Sequence, residues 1–225
     1  MRIRVMDLET CGLEPPAGVV ELATWDFLDG RVAPTGHAQL IDPGCPIPPE
    51  ISAIHHIIDD DVRGQPTFAH AIGYALLGDV DAYCAHRAAF ERQWITPALT
   101  GATPWICTLR CAYRVWPDAP GHSNQALRYW LKPEGLDREI AKVAHRAGPD
   151  AYVTAFTLRE LLKKATVDQL IKWSAEPALL PRVQFGKHYG LPWSKVPVDY
   201  LSWILRQPDM DEDIVHTARH WLRHL

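Results

Sequence analysis

The chain has 225 residues, of which 47% are hydrophobic and 22% are charged, with a formal net charge of −4 from 23 Lys and Arg against 27 Asp and Glu. This composition is typical of a folded globular protein. It excludes an intrinsically disordered chain, which combines few apolar residues with a high net charge. The near-neutral charge gives no indication of the strongly basic composition that many nucleic-acid-binding domains have.

Five cysteines, Cys11, Cys45, Cys84, Cys107 and Cys111, are odd in number, and no two of them have CxxC spacing. This pattern disfavours both a disulfide framework and a structural zinc site. No apolar stretch approaches the length of about 18 residues that a membrane-spanning helix needs, and the first residues lack the apolar segment of a signal peptide. We therefore expect a soluble protein of a reducing compartment, in a bacterial cell the cytoplasm, without a membrane partner.

The first elements in chain order are predicted to be strands. Apolar runs rich in branched residues predict strands at 3–8 and 19–28. Gly30 marks a turn, so 31–41 is expected to return as a hairpin strand. The proline-rich segment 42–49 is predicted to be a turn region.

Helices and short strands then alternate, and helices dominate the later part of the chain. Strands preceding interleaved helices predict a mixed sheet covered by helices, in an α/β or α+β architecture. The expected elements are a helix at 68–77, a strand at 81–85, a helix at 88–99, a strand at 103–107, and helices at 108–115, 123–131, 144–164 and 168–174.

A change in composition follows residues 176–182, which contain Pro177 and Pro181. The sequence FGKHYGLPWSKVPVDYLSWIL comes next, and 211–225 is predicted to be a helix. We therefore divide the chain into a larger domain, 1–176, and a small C-terminal module, 177–225. Three roles fit the module: guiding nucleic acid, binding a protein partner or second copy, or packing on the larger domain.

Asp7 and Glu9 give the first chemical signal. Residues two apart in a strand point to the same face, so these two carboxylates lie together at the end of an apolar strand. Hard divalent cations such as Mg²⁺ and Mn²⁺ prefer such oxygen ligands. The same two residues also fit a solvated strand end, so the D-x-E pattern alone does not decide between these interpretations.

Two further segments combine histidine with an acid. HRAAFE, from His86 to Glu91, joins a predicted strand to a helix, and HRAGPD, from His145 to Asp150, precedes the long predicted helix. In the second segment, an acid five residues after a histidine can hold a metal while the histidine lies over the site, although His145 taken alone also fits a surface histidine.

Taken together, these segments resemble the three motifs of the DEDDh 3′–5′ exonucleases, in the family's order and spacing over residues 1–165. The first motif is Asp7 and Glu9 within VMDLETCGL, and the others are HRAAFE and HRAGPD. Within this family, AIHHII, WICTLRCAYRVWP and the C-terminal FGKHYG segment are similar to the exodeoxyribonuclease X group, in which an FGK-x-x-G module follows the exonuclease domain.

The resemblance implies a ribonuclease H-like mixed sheet flanked by helices, and two-metal-ion hydrolysis of phosphodiesters at a nucleic-acid 3′ end. DNA, single-stranded or frayed, is the expected substrate, and nucleoside 5′-monophosphates are the expected products. Two alternatives remain open: a catalytically weakened protein that binds nucleic-acid ends, and an exonuclease directed at RNA.

The resemblance also implies roles for individual residues. His145 is expected to be the general base, and His55 to contact the terminal nucleotide, although His55 equally fits a helix cap. The carboxylates expected to hold two Mg²⁺ or Mn²⁺ ions are Asp7, Glu9, Glu91 and Asp150, and the other expected substrate contacts are Thr10, Cys11, Gly12, Leu13 and His86.

Two positions depart from the family pattern. Glu91 stands where the family has Asp, which keeps the charge but lengthens the side chain by one methylene. In an active site a displacement of about 1 Å can reduce the rate about 100-fold, so Glu91 motivates the weakened alternative. Arg87 stands where the family has Asn, and it fits either a phosphate contact or a solvent-exposed position.

Overall fold

The computed structural model describes residues 1–224 and contains one mixed sheet. The sheet order is β3-β2-β1-β5-β6, with β4 also paired to β2. The pairs of β2 with β1, β3 and β4 are antiparallel, whereas β1–β5 and β5–β6 are parallel. The strands are β1 (Arg2–Thr10), β2 (Val19–Leu28), β3 (Arg31–Val32), β4 (His37–Leu40), β5 (Ala82–Ala85) and β6 (Trp105–Cys107).

Helices cover the sheet. None of the helices within residues 1–224 is long and apolar enough to cross a membrane. They are α1 (Pro49–His55), α2 (Asp59–Val62), α3 (Phe68–Ala75), α4 (Ala88–Glu91), α5 (Pro97–Thr100), α6 (Thr108–Val115), α7 (Asn124–Leu131), α8 (Ala147–Leu162), α9 (Val167–Ala175), α10 (Val198–Ile204) and α11 (Glu212–Leu222), with 3-10 turns at Gly186–His188 and Trp193–Lys195.

The two faces of β1 belong to two different cores. Ile3 and Val5 pack in the cluster formed with α8, whereas Met6 and Leu8 pack in the cluster on the opposite side, which includes residues of α3. Because side chains alternate along a strand, the odd-numbered residues of β1 point towards α8. The same alternation places the next odd-numbered residues of β1, Asp7 and Glu9, on the face that points towards α8.

Prolines and backbone geometry explain where elements differ from the sequence predictions. The predicted strand 31–41 is split into β3 and β4, and Pro34, which lacks an N–H group, lies in the gap. The predicted helix 88–99 is two short helices, because Thr96 before Pro97 is extended (φ −73°, ψ 166°). The predicted helix 144–164 begins only at Ala147, since His145 has a left-handed backbone (φ 57°).

Three helices, α1, α2 and α10, were absent from the sequence predictions, and prolines precede or begin two of them. Helix α1 has Pro48 at its N-cap and Pro49 in its first turn, and α10 follows Pro197. Proline at a helix start loses no hydrogen bond and has a helix-compatible φ, so the same residue marks both turns and helix starts. Helix α11 occupies most of the predicted segment 211–225, of which Leu225 lies outside the described residues.

The C-terminal segment has a buried core of its own. Trp193, Leu201 and Ile204 are among the buried residues of this cluster. Arg110 of α6 approaches Asp213 of α11, with the guanidinium and carboxylate 3.8 Å apart, and so joins the segment to the larger domain. A separate core supports the division near residue 176, which remains a prediction.

Candidate active site

Three carboxylates meet where β1 ends. Asp7 and Glu9 continue the face of β1 that packs on α8, and Asp150 lies in the first turn of α8. One ligand oxygen from each of the three lies within 4.8 Å of the others. The alternation of β1 and the buried position of α8 therefore bring together residues that are more than 140 positions apart.

Glu91 lies at the end of α4 and lines the same cleft, although it is outside the three-residue cluster. Its residue is only 4% exposed, and its Oε2 atom has no hydrogen-bond partner among residues 1–224. Burial raises the pKa of Glu91 to about 8, although the nearby Arg87 lowers it. An unpartnered buried carboxylate oxygen is unfavourable unless a cation joins it.

The acids of the cluster repel one another. Burial raises the pKa of Asp7 well above its ordinary value, and Glu9, Asp150 and Glu91 raise it further. Burial likewise raises the pKa of Glu9 to about 8, with Asp150 adding to the effect. The cluster has more carboxylates than neighbouring cationic side chains. Because hard divalent ions prefer carboxylate oxygens as ligands, these residues fit such an ion.

Asp150 is held by three neighbours on two segments, the loop before α8 and the start of α7. The backbone N–H of His145 donates to its Oδ2 atom at 2.7 Å. The side-chain amides of Asn124 and Gln125, at the start of α7, each donate to its Oδ1 atom at 3.2 Å. Burial raises the pKa of Asp150 despite these bonds. The carboxylate is therefore fixed in place by neutral hydrogen-bond donors and not by an opposite charge.

Glu21 forms an ion pair beside the cluster that the sequence analysis missed. It lies opposite Glu9 in the β1–β2 register. Its carboxylate accepts bonds from Arg146 Nε and Nη2 at 2.9 and 2.8 Å, and from the Ala147 backbone N–H at 2.9 Å. These bonds tie the segment after His145 to β2. The sequence feature that could have indicated it is the spacing in VVELATW, where Glu21 lies two and four residues before the apolar Ala23 and Trp25 and so shares their face of the strand.

The turn after β1 contributes one residue to the cleft surface. Leu13 lines the cleft and is 82% exposed. Thr10 and Cys11 are buried, and the Thr10 hydroxyl donates to the Gly12 carbonyl at 2.6 Å. Of the four residues predicted here, only Leu13 is among those that line the cleft.

His55 and His86 occupy different environments. His55 is buried outside the cleft lining, its Nδ1 atom accepts the Ile57 N–H at 3.0 Å, and burial lowers its pKa. His86 lines the cleft, but its ring nitrogens bond to Thr108 Oγ1 and to the His122 carbonyl, both at 2.8 Å. Burial lowers the pKa of His86 to about 4, so its neutral ring already uses both nitrogens within the protein.

The four acids and His145 lie in one cleft of about 1000 Å³. Besides the acids, the cleft is lined mainly by arginine, histidine and aromatic side chains. These residues come from both the larger domain and the C-terminal segment, and together with two others they are Leu13, His86, Arg87, Phe90, Tyr113, His122, Arg182, Gln184 and Tyr189.

The family follows from this fold and site. The sequence model of the exonuclease family (RNase T) matches residues 5–158, a span that includes the four acids and His145. The chain belongs to this exonuclease family, whose chemistry implies divalent metal ions. The expected ribonuclease H-like fold and the expected class of enzyme are thereby confirmed.

Individual relatives extend the match along the chain. The chain is 34% identical to exodeoxyribonuclease 10 of Escherichia coli (strain K12) over 232 residues, covering 98% of each. It superimposes on exonuclease X, solved in complex with 5′-overhanging duplex DNA, with a TM-score of 0.64 and 33% identity over 77% of this chain and 99% of that one. The nuclease domain of 3′hExo, a DEDDh member bound to rAMP, shares the fold at 13% identity, with a TM-score of 0.56 over 73% of this chain and 92% of that one.

Proposed function

We propose that this chain is a divalent-metal-dependent 3′–5′ exonuclease that degrades DNA and releases nucleoside 5′-monophosphates. The observation that carries the proposal is the cluster of Asp7, Glu9 and Asp150, whose ligand oxygens lie within 4.8 Å of one another with too few cations nearby. The similarity to exodeoxyribonuclease 10 over 98% of both chains supports DNA as the substrate.

The four acids are assigned to two ions, either Mg²⁺ or Mn²⁺. Such ions, when bound, stabilise the attacking and leaving oxygens at a scissile phosphate and lower the pKa of a bound water. Asp7, Glu9 and Asp150 present a ready group of oxygens. Glu91 adds a buried oxygen with no other partner among the described residues. Its longer side chain fits direct or water-mediated contact, and Mn²⁺ is the more tolerant of imperfect geometry.

His145 is assigned the role of general base. Its side chain lines the cleft, and its backbone N–H is bonded to Asp150 at 2.7 Å. The left-handed backbone at His145 keeps it out of α8, while Arg146 and Ala147 hold the adjoining segment through Glu21. Proton removal from an attacking water leaves an imidazolium, which the neighbouring carboxylates stabilise.

The terminal nucleotide is assigned to the turn after β1. The exposed Leu13 is positioned to wedge against a base, and Thr10, Cys11 and Gly12 connect it rigidly to β1. Apolar stacking accepts any base, so this contact provides no sequence code. Contacts from His55 and His86 remain predictions, and those of His86 are limited to its ring carbons because both nitrogens are occupied.

The substrate end is proposed to be a single-stranded or frayed 3′ terminus. The similarity to the Escherichia coli exonuclease supports the proposed cytoplasmic, reducing location. A homodimer or protein partner bound through the C-terminal module remains a prediction.

The test is incubation of the purified chain with 5′-labelled single-stranded DNA and RNA in Mg²⁺ or Mn²⁺. We expect stepwise shortening of DNA from the 3′ end, with Asp150→Asn as the matched inactive control. Faster shortening of RNA would support the RNA-directed alternative. Binding of the 3′ end without release of nucleotides in either metal would support the end-binding alternative that Glu91 motivates.

A further inference from the structure

The C-terminal segment forms one wall of the catalytic cleft. Six residues of this segment line the cavity that contains Asp7, Glu9, Glu91 and Asp150. They are Pro181, Arg182, Val183, Gln184, Tyr189 and Gly190. We call residues 181–190 the cleft loop.

The cleft loop is held in a defined shape. The Gly190 N–H donates to the Val183 carbonyl at 2.8 Å, and the Val183 N–H donates to the Leu191 carbonyl at 2.9 Å. Gly186 has a positive φ of 59°, and a Cβ there would lie 2.7 Å from the Tyr200 hydroxyl. The loop is therefore preorganised and packed on the core of its own segment.

Tyr189 stands out on this ordered loop, because its side chain is 77% exposed. Arg182 is also exposed and bonds to the Gly190 carbonyl at 3.1 Å, which keeps its guanidinium beside the loop. Large exposed aromatic side chains on an ordered loop suit stacking with a ligand rather than packing within the protein.

The charges around the cleft are segregated. The residues of the C-terminal segment that line the cleft include Arg182 and no acid. Arg87 also lines the cleft, and the acids that line the cleft are the four proposed metal ligands. A cleft wall that carries two arginines and an exposed aromatic ring, continuous with a site for a strand end, matches single-stranded nucleic acid.

We propose that the cleft loop binds the nucleotides that precede the 3′-terminal one, with Tyr189 stacking on a base and Arg182 facing a phosphate. This proposal rests on the proposed exonuclease function and deepens it. A protein partner is a poorer occupant, because it would fill the passage through which the strand reaches the carboxylates.

The experiment compares two substrates that reach different parts of the cleft. The p-nitrophenyl ester of thymidine 5′-monophosphate fills only the terminal position, whereas a 20-nucleotide single strand also reaches the cleft loop. We expect Tyr189→Ala to raise KM for the 20-mer about tenfold relative to KM for the ester, in line with the known strength of base–aromatic stacking. Tyr189→Phe should restore the wild-type ratio, since the ring is kept.

Binding without cleavage gives an independent readout. With Ca²⁺ in place of Mg²⁺, the fluorescence anisotropy of a labelled 20-mer should show about tenfold weaker binding for Tyr189→Ala. Arg182→Gln should reduce the slope of log Kd against log salt by about 0.7, the value for one phosphate contact on a single strand. The matched controls are Tyr74→Ala and Lys195→Ala, exposed residues outside the cleft lining.

Equal effects of Tyr189→Ala on both substrates would overturn the proposal, as would unchanged binding of the 20-mer by both loop variants. A wild-type chain that hydrolyses neither substrate would instead contradict the proposed exonuclease function. The anisotropy measurement would still decide whether the cleft loop binds a single strand.

Discussion

The two ends of strand β1 both carry charged side chains that are at least partly buried. At one end these charges are paired with opposite charges, and at the other end they face like charges. At the N-terminal end, Arg4 donates to Asp26 on β2 through Nε at 2.9 Å, and Arg2 donates to the same carboxylate at 2.6 and 2.8 Å. At the C-terminal end, Asp7 and Glu9 face further carboxylates.

The pKa directions express this difference. Burial would raise the pKa of Asp26, but hydrogen bonds from Arg4 and Arg2 outweigh it and leave the pKa lowered. Burial and like charges raise the pKa of both Asp7 and Glu9. Charge that is compensated within the chain is tolerated by the fold as long as both partners are present, whereas uncompensated charge at the other end of the same strand favours binding of a cation.

The largest effect is expected from Asp150→Asn, which removes one charge from the uncompensated end. We expect kcat for nucleotide release to fall by about 1000-fold, the upper range for losing one electrostatic group in an active site. The melting temperature of the metal-free variant should equal or exceed that of the wild type, because a like charge is lost. Near-normal kcat in this variant would show that Asp150 is not in the catalytic group.

Asp26→Asn instead removes the charge that is paired with arginines at the N-terminal end of β1. Arg4 is only 5% exposed, so losing its partner leaves a buried charge, and the free energy of unfolding should fall by about 3 kcal/mol. Urea denaturation measures this change, while kcat of the folded protein should stay near the wild-type value. Asp29→Asn is the control, because Asp29 pairs with the N-terminus at an exposed position; a comparable loss there would refute the distinction.

The two ends should also respond to opposite changes of pH. In the folded protein the pKa of Glu9 is raised from 4.5 to about 8. The contribution of protonated Glu9 to the stability of the metal-free protein is therefore fully present below pH 4.5, and it is lost as the pH rises through 8. Asp26, whose pKa is lowered from 3.8, contributes stability above that pH and loses it as pH falls further. Between pH 5 and 9 the wild type should lose about 4 kcal/mol through this group, since each unit of pKa shift corresponds to about 1.4 kcal/mol, and Glu9→Gln should remove that loss.

Urea unfolding of the EDTA-treated protein across this pH range measures that loss. Saturating Mg²⁺ should abolish it in the wild type, because bound cations favour the ionised carboxylates. An alkaline loss that persists in Glu9→Gln would assign the effect to other groups.

The smallest effect is expected from Glu91→Asp, which restores the residue of the family motif without changing charge. We expect Mg²⁺-supported kcat to be retained or raised, within about threefold, since one methylene alters reach but not the donor atoms. The ratio of kcat in Mg²⁺ to kcat in Mn²⁺ is the measurement. A large loss would show that the glutamate is an adapted ligand in this chain.

Local pattern predicted the elements that carry the site. The period-two alternation of β1 placed Asp7 and Glu9 on one face, and the predicted strand 19–28 coincides with β2. The helix 108–115 also coincides with α6. Proline positions were harder to interpret, because Pro49 begins a helix while Pro97 separates two helices.

Contacts between distant segments were outside what local pattern can predict. Glu21 and Arg146 are 125 residues apart, and Asn124 reaches Asp150 only because α7 packs beside α8. Nothing in FGKHYG distinguishes a loop that lines the catalytic cleft from one that faces away. The second wall of the cleft therefore became visible only in the folded chain.

The sequence by itself determined which family the chain resembles and which acids and histidines are proposed to carry the chemistry, because motif order and strand alternation are properties of neighbouring positions. Only the tertiary structure decided which charges are compensated. The net charge of −4 includes both Asp26, which is paired with two arginines, and Asp7, which is surrounded by acids. That distinction depends on distances between elements remote in the chain, since electrostatic energy follows separation and burial rather than position in the sequence.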